Sequence, residues 1–583
     1  MKANYLILYL VCNFTVTLIG QQTYEIEGRV NHMGTNEPIP FATIYNKSLK
    51  IGTISNTDGY FRISINGYRD TVRISFIGFK DQIINLKGGV SFYLINLEEN
   101  FHMLKEITVT PKDNSYLFQL LQECRKKSSP VDITAKSYYE LKSFINNKQI
   151  EFVEGYYNAD IKSYQLSGLH FKTGRIALQP YEDRFFVSLE SSRAILLLDL
   201  FKGNEQFPLN PLELSKSKLR KNFTLSLDNT FLDGEADSIY VIEYFPKDTT
   251  GRFFEGKIWI NKTKKQFMKI TLNCRNALKH PFLPLFPSDK VANVCFNITQ
   301  SYISVNDQSY FNHIDFVYKF DYHSRMGNTE EQTYSIVTNT VLHTYDYNDV
   351  FILPVFDYSF QYMDDYRKVN AIPYNEFFWN YNNEYRLNDS LNKNEHFFKD
   401  SNSINNKALF KSNSFMKLGL LEHPYVEWSK ARIKLREILP DSVENELFKN
   451  LRSEQFKLSV KIFLDVNSYK DSTNVITSTI FDPYHSYYYL PMDQTTQCFI
   501  NIYFDLYEIR RRALIEKLKT VKNDIYLLRK IFIAEITEFE IEMRIYLEAV
   551  QRGTIVAELK KYNDFVFNNL GIDNIEFFQL FKK

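Results

Sequence analysis

The stretch GTISNTDGYF, residues 52–61, decides the fold of the first part of the chain. Asp58-Gly59 separates two short apolar runs, and glycine readily adopts the positive φ that a tight hairpin needs. Around this stretch, from Tyr24 to Thr110, short alternating runs recur between turn residues. Such a cadence is typical of an all-β fold and predicts a β-sandwich of the seven-stranded type.

Four short motifs add a family resemblance to this pattern. They are GRV at 28–30, PIPFA at 38–42, GTISNTDGYF at 52–61 and ISFIGF at 74–79. Together they resemble the carboxypeptidase-regulatory-like domain, a prealbumin-like β-sandwich found in exported Gram-negative envelope proteins. The resemblance implies one such domain over residues 21–111.

The first residues predict export. Lys2 is followed by a mostly apolar stretch over residues 5–19, and then by Gly20 and the polar pair Gln21-Gln22. A positive start, an apolar middle and a small residue at the cleavage site form a signal peptide, here residues 1–20. We therefore expect a periplasmic or outer-membrane-associated protein with no transmembrane helix in the mature chain.

The amino-acid composition indicates a globular protein rich in β-strands and argues against a nucleic-acid partner. Hydrophobic residues make up 44% and charged residues 24%, as in globular proteins. The aromatic share of 16% favours β-strands. Since 70 Lys and Arg balance 69 Asp and Glu, no general attraction to nucleic acid is expected.

The middle of the chain, residues 112–345, predicts a large curved antiparallel sheet preceded by a linking helix at 115–127. Asn146-Asn147 and Asn306-Asp307 are hairpin signals, and residues 238–272 form a meander. FEGKIWIN at 254–261, with FMKI at 267–270, resembles the repeating hairpin of half-barrels in periplasmic lipoprotein carriers. The resemblance implies a concave face for an acyl chain or an extended polypeptide. Alternatively, the aromatic residues form a core beneath a covering helix.

The last two regions differ in composition. Residues 346–414 are rich in Asn and aromatic residues and predict a loop and linker, which either contacts carbohydrate or packs its IPYNEFFW motif, 372–379, on the sheet. Residues 415–583 predict an α+β unit with helical pieces at 422–451 and an alternating strand at 456–466. An apolar seam from Leu514 to Phe532 forms either an intrachain helical hairpin turning at Asn523-Asp524 or a coiled coil, which leaves helix-mediated self-association open.

Chemistry-bearing motifs are scarce. None of the ten His begins an H-x-x-E pair, and neither G-x-S-x-G nor H-E-x-x-H occurs. His313 with Asp315, and Asp321 with His323, could each face one side of a strand but lack a third metal ligand. Cys274 and Cys295 are either bridged or free. Arg510-Arg511-Arg512 forms either a solvated helix face or a contact to acidic groups. We assign no catalytic, cofactor-binding or metal residue, and no cofactor.

These observations predict a non-catalytic binding or scaffold protein of the cell envelope. The sandwich would be a recognition or spacer module, and the sheet a platform for an envelope protein, a lipid or a polysaccharide. The alternative is a secreted hydrolase that acts on carbohydrate with an active site the motifs do not reveal. The absence of a catalytic motif favours the first.

Overall fold

The computed structural model describes most of the chain from residue 23 to residue 581. The described ranges are 23–48, 51–56, 58–90, 92–100, 114–127, 132–182, 184–188, 191–233, 237–284, 286–305, 308–325, 331–355, 364–382, 404–405, 425–434, 456–469, 472–483, 485–490 and 492–581. The predicted signal peptide, residues 1–20, lies outside them. The chain is mainly β with a helical C-terminal part, which confirms the predicted fold class.

The N-terminal unit is a two-sheet β-sandwich of seven strands. The strands are β1 Thr23–His32, β2 Thr43–Asn46, β3 Ile51–Ile54, β4 Tyr60–Asn66, β5 Arg69–Ser75, β6 Gln82–Lys87 and β7 Tyr93–Leu97. One sheet has the order β4-β1-β7 and the other β3-β2-β5-β6. Branched and aromatic side chains that alternate along the strands fill the space between the sheets.

The turn at Asp58-Gly59 is not the predicted hairpin. Gly59 has φ +80°, as expected, but β3 and β4 belong to different sheets. The side-chain oxygen of Asn56 accepts hydrogen bonds from the backbone N–H of Asp58 and Tyr60, and these bonds close the turn. The turn therefore carries the chain from one sheet of the sandwich to the other.

An eleven-stranded antiparallel sheet forms the middle of the molecule. Its elements are α1 Ser115–Lys127, β8 Asp132–Ile145, β9 Lys148–Lys162, β10 Gln165–Leu178, α2 Ser191–Leu197, α3 Lys216–Asn222, β11 Phe223–Asp233, β12 Asp237–Pro246, β13 Gly256–Asn261, β14 Gln266–Cys274, β15 Lys290–Val305, β16 Gln308–Ser324, β17 Gln332–Tyr345 and β18 Ile404–Asn405. The strand order is β11-β12-β13-β14-β15-β16-β17-β8-β9-β10-β18. Strands β8 to β10 and strands β11 to β17 therefore pair in sequence order, and β17 joins β8 to link the two sets.

Turn chemistry explains the hairpin between β8 and β9. Asn146 and Asn147 have φ of 50° and 64°, and Ile145 pairs with Lys148 across the turn. Two consecutive residues with positive φ match the twist of the flanking strands, and asparagine tolerates this conformation. The predicted hairpin at residues 146–147 is confirmed.

Two short helices lie where the sequence predicts only loop and linker. Helix α4, Asp365–Ala371, begins after Asp364, whose side chain accepts a hydrogen bond from the backbone N–H of Arg367. Helix α5, Glu376–Tyr381, begins after Asn375 in the same manner. Both starts are ordinary N-caps. Residues 364–382, which we call the clasp, thus have regular structure, and the prediction of a loop was wrong there.

The C-terminal unit pairs a small sheet with a helical hairpin. Its elements are β19 Val426–Glu427, β20 Phe456–Lys457, β21 Val460–Tyr469, β22 Ser472–Phe481, β23 Tyr487–Tyr488, α6 Gln494–Thr520, α7 Ile525–Val550, α8 Val556–Leu570 and α9 Asn574–Phe577. Strands pair in the orders β19-β22-β21 and β20-β23. Residues 425–434 contain β19, and the rest of 422–451, where the sequence predicts helical pieces, lies outside the described residues.

The seam of the two long helices is buried inside the chain. Asp524 caps α7, and Leu514, Leu518, Leu528 and Phe532 belong to one core cluster. The predicted intrachain hairpin is therefore present, and these seam residues are not available for a coiled coil between two copies. No helix in the described part of the chain is long and apolar enough to cross a bilayer.

Candidate functional site

The two faces of the eleven-stranded sheet are the candidate sites for a ligand or partner. Side chains alternate along each strand, so Tyr139 and Tyr157 lie on one face, and Tyr138 and Tyr156 on the other. We call the first the inner face, because helices α1 to α4 pack against it, and the second the outer face.

The inner face is a closed core. Aromatic and aliphatic side chains from the strands, from α1, α2 and α3 and from the clasp belong to a single buried cluster. Among the described residues, this cluster fills the space between the sheet and the helices, where an acyl chain would need an open apolar cavity. The structure thus favours the alternative that the aromatic residues of the sheet are a core beneath helices.

Helix α4 is attached to the inner face through a buried carboxyl group. Glu151 on β9 is fully buried and accepts hydrogen bonds from the hydroxyl groups of Ser143, at 2.6 Å, and Tyr366. The backbone N–H of Ser188 donates a third bond at 2.8 Å. Burial raises the pKa of Glu151. The hydrogen bonds satisfy a group that would otherwise be costly to desolvate.

A second carboxyl group, on the helix itself, faces the same core. Asp365 is 1% exposed and accepts hydrogen bonds from the hydroxyl groups of Tyr139 and Ser192. Gly174 on β10 allows the helix to approach closely, because a Cβ there would lie 2.8 Å from a methyl group of Val369. These contacts fix α4 on the sheet, so the two carboxyl groups act as structural anchors and lie away from solvent.

One end of the outer face is covered by the sandwich. The ring of Phe41 lies 3.7 Å from the ring of His313 on β16, measured between centroids, and His343 on β17 lies 6.0 Å from His313. Neither ring nitrogen of His313 has a hydrogen-bond partner among the described residues. Burial lowers the pKa of His313 well below its usual range and that of His343 to about 3. Both imidazoles are therefore neutral at physiological pH.

Two further charged groups lie under the same cover. Lys269 on β14 is within 5.5 Å of the Phe76 ring of the sandwich and 5.0 Å of the Trp259 ring of the sheet. Burial lowers the pKa of Lys269 and raises that of Asp315 to about 6. The sandwich thus rests on a layer of desolvated ionisable groups as well as on apolar contacts.

The clasp and the C-terminal unit cover the outer face near β9 and β10. The Lys172 ammonium on β10 lies 2.5 Å from a carboxylate oxygen of Asp465 on β21, and both side chains are buried. Arg175 pairs with Glu154 at 2.5 Å and lies over the ring of Trp379. Removal of two charges from water is costly unless they pair with good geometry. The pair of Lys172 with Asp465 joins the sheet to the C-terminal unit, whereas Arg175 and Glu154 lie opposite each other on neighbouring strands of the sheet.

The part of the outer face near the β8–β9 hairpin is open. A cleft of about 610 Å³ lies there, which we call the open cleft. Lys319 and Asn339 are exposed in it, and Lys319 has no ion pair in the described part of the chain. The residues that line the cleft are Phe144, Asn146, Asn147, Lys319, Ser335, Val337 and Asn339.

The structure places the candidate metal ligands apart. His313 and Asp315 lie under the sandwich, whereas His323 contacts Thr333 and Glu331, and Asp321 accepts a hydrogen bond from Asn293. Among the described residues, no group of three His, Cys, Asp or Glu side chains is arranged to hold a metal ion.

The two cysteines whose bridging the sequence left open are free thiols. Cys274 pairs across the strands with Phe296, so the side chain of Cys295, next in sequence to Phe296, points to the opposite face of the sheet. Burial raises the pKa of Cys274 to about 12, which makes it unreactive.

The arginine cluster is occupied by partners within the chain. Arg510 pairs with Glu542 on α7, and Arg511 and Arg512 both pair with Glu508 on α6. The structure therefore agrees with the interpretation of this cluster as a helix face, and it offers no unpaired patch of three arginines.

The sequence analysis missed the ionisable residues that organise the sheet. Glu151, Lys172 and Asp465 stand at positions that their strands bury. A charged residue in register with Val153 and Tyr157 was the available signal for Glu151, because all three share one face. The partner of Lys172 is 293 residues away in the chain, and no sequence pattern connects the two.

A comparison with protein families agrees with the N-terminal unit. Residues 26–109 match the family model of the CarboxypepD_reg-like domain. No curated protein matches the chain.

Three solved structures are similar to part of this chain. A LolA superfamily protein from Nitrosomonas europaea is 11% identical over 40% of this chain and 93% of its own, with a TM-score of 0.16. A domain named for outer membrane lipoprotein sorting, from Vibrio parahaemolyticus, is 14% identical over 40% and 90%, with a TM-score of 0.17. The MucA/MucB complex of Pseudomonas aeruginosa gives 8% identity over 39% and 92%, with a TM-score of 0.14.

TM-scores this low carry no conclusion about a ligand or partner. What the comparisons establish is that residues 26–109 are a carboxypeptidase-regulatory-like unit, as their motifs predict.

Proposed function

We propose that this chain is an exported binding protein of the cell envelope whose binding platform is the outer face of the sheet. The observation that carries the proposal is the contrast between the closed inner face and the open cleft. The described side chains of the inner face lie in one buried cluster, whereas the open cleft is lined by Lys319, three asparagines and the ring of Phe144. Amide and ammonium groups beside an aromatic ring are typical of a site for a polar partner.

The attachments of the other units support a scaffold role. The sandwich, the clasp and the C-terminal unit all contact the sheet, through the partly buried Phe41 and the buried Trp379 and Asp465 respectively. Such contacts hold the units at fixed positions around the open cleft. The sandwich therefore acts as a rigid module beside the platform.

The hydrolase alternative has no support from the arrangement of carboxyl groups on the inner face. Glu151 and Asp365 are 0% and 1% exposed, and each is engaged by hydroxyl groups of the chain. Glycoside hydrolysis needs two carboxyl groups on either side of a cleft that the sugar can enter.

Site-specific photo-crosslinking in living cells tests the proposal. A photoreactive amino acid replaces Asn339 in the open cleft and, as a control, Tyr526, which is 80% exposed on α7. We expect a discrete crosslinked species from position 339 that is absent at position 526 and weakened by Lys319→Glu. The same or no product at both positions would contradict a platform at the open cleft.

The site of export needs its own test. We expect the mature protein to begin after Gly20 and to fractionate with the envelope. N-terminal sequencing of protein purified from cells would reveal an intact Met1 if export does not occur.

A further inference from the structure

The connection between β14 and β15 exposes three large apolar side chains. Leu283 is 85% exposed, Leu278 59% and Phe286 46%. We call residues 275–284 and 286–290 the apolar loop. Single exposed apolar residues are ordinary, but several in one short connection mark an interaction surface.

The apolar loop is anchored to the sheet, so its tips project from a fixed base. The Phe282 ring stacks on Tyr318 of the inner face, with centroids 4.2 Å apart. The backbone N–H of Ala277 donates to the carbonyl of Val294 at 2.7 Å, and that of Leu278 donates to the carbonyl of Gly251 at 3.0 Å.

Three cations lie beside the exposed apolar side chains at the surface. Arg275, Lys279 and Lys290 are exposed. The single acidic residue of the stretch 275–290, Asp289, is 4% exposed and accepts a hydrogen bond from the Tyr322 hydroxyl at 2.7 Å. Two acidic groups from other parts of the chain interact with these cations: Glu213 with Lys279, where burial raises the pKa of Glu213 to about 7, and Glu331 with Lys290. The three exposed cations outnumber these two groups.

We propose that the apolar loop is a peripheral contact with an anionic lipid surface. Leu283 and Phe286 insert at the level of the headgroups, and the three cations lie against lipid phosphates. Apolar side chains flanked by Lys and Arg match the composition of this interface, where apolar area and charge attraction both add to binding. The proposal is independent of the open cleft, which lies on the outer face.

Vesicle flotation of the full mature chain tests the contact. We expect the protein to float with vesicles of phosphatidylethanolamine and phosphatidylglycerol, and to stay at the bottom with phosphatidylcholine alone. The double substitution Leu283→Ser and Phe286→Ser should weaken flotation by about tenfold or more, since each change removes apolar area that the membrane would otherwise bury. Lys279→Glu should weaken it less, and high salt should reduce the difference between vesicle types.

A matched control separates this surface from general stickiness. Ile83 is 74% exposed on the sandwich, and Ile83→Ser should leave flotation unchanged. In addition, Leu283→Trp should give a blue shift of fluorescence with the anionic vesicles, whereas Ile83→Trp should not. The proposal would be overturned if the double-serine variant floated as well as the wild type, or if the wild type did not float. It would also be overturned if the wild type self-associated with rising concentration and the double variant did not, because the partner would then be a second copy of the chain.

Discussion

The inner and outer faces of the large sheet carry alternate side chains of the same strands, yet they are filled by different chemistry. On the inner face, buried polar groups such as Glu151 are satisfied by hydroxyl groups. On the outer face, buried ions such as Lys172 pair with charges from other units, and one region stays open. The face whose buried polar groups bond to neutral hydroxyl groups thus forms a core. The face whose buried charges pair with charges of other units forms the surface on which those units dock.

The clasp connects these two environments at one edge of the sheet. Tyr366 and Val369 on α4 belong to the inner core, whereas Phe378 and Trp379 on α5 pack with Tyr156 of the outer face. The clasp therefore passes around β10, and its helices close the inner face while they narrow the outer one.

The largest loss of stability is expected when the buried ion pair of the outer face is broken. Lys172→Met leaves Asp465 buried without its counter-ion, with only the amides of Asn375 and Asn467 donating to it, and should lower the free energy of unfolding by about 3–5 kcal/mol. Denaturant unfolding measures the change. Lys80→Met, which breaks the exposed pair with Glu98, is the control and should cost at most about 1 kcal/mol. Equal effects of the two substitutions would show that the outer face is not a docking surface for the C-terminal unit.

The next effect tests the anchoring of α4 on the inner face. Tyr366→Phe removes a donor from the Glu151 carboxyl group and should cost about 2 kcal/mol, as expected for a hydrogen bond to a charged group. Hydrogen exchange should show faster opening of residues 365–371 than in the wild type. Tyr526→Phe, at an exposed position, should change neither quantity. Unchanged exchange in α4 would contradict its anchoring by Glu151.

Acidification should affect the part of the outer face under the sandwich. Because the pKa of His343 is lowered from 6.5 to about 3, the unfolded chain takes up the proton first. The stability from this group is full above pH 6.5 and is lost as the pH falls toward 3, with about 1.5 kcal/mol lost between pH 6.5 and 5.

The difference between two pH profiles isolates this contribution. Asp315, whose pKa is raised, acts in the opposite direction, and Lys269 and His313 face the same layer. We therefore compare unfolding of the wild type and of His343→Asn at each pH. The profile of the variant should be flatter by the amount given above, and parallel profiles would show that the pKa of His343 is the same in the folded and the unfolded chain.

Local patterns in the sequence account for most of the strands but for little of the packing between units. Alternation and the Asn146-Asn147 turn gave the sheet correctly, because both are set by neighbouring residues. The two helices of the clasp were missed, because each is only one or two turns long and depends on tertiary contacts such as that of Tyr366. The Asp58-Gly59 turn was assigned to a hairpin because a positive φ does not specify which strand comes next in a sheet.

The smallest effect is expected for a Lys→Met substitution at the open end of the outer face. Lys319→Met should change the free energy of unfolding by less than about 0.5 kcal/mol, because the side chain is exposed and has no ion pair in the described part of the chain. Denaturant unfolding alongside Lys172→Met makes the comparison direct, since both lysines lie on the outer face. A large loss of stability at Lys319 would mean that the open cleft is closed in solution by some part of the chain, and the platform would then have to lie elsewhere. A small loss would leave Lys319 free to act on a partner, because a residue that contributes nothing to folding can be selected for binding alone.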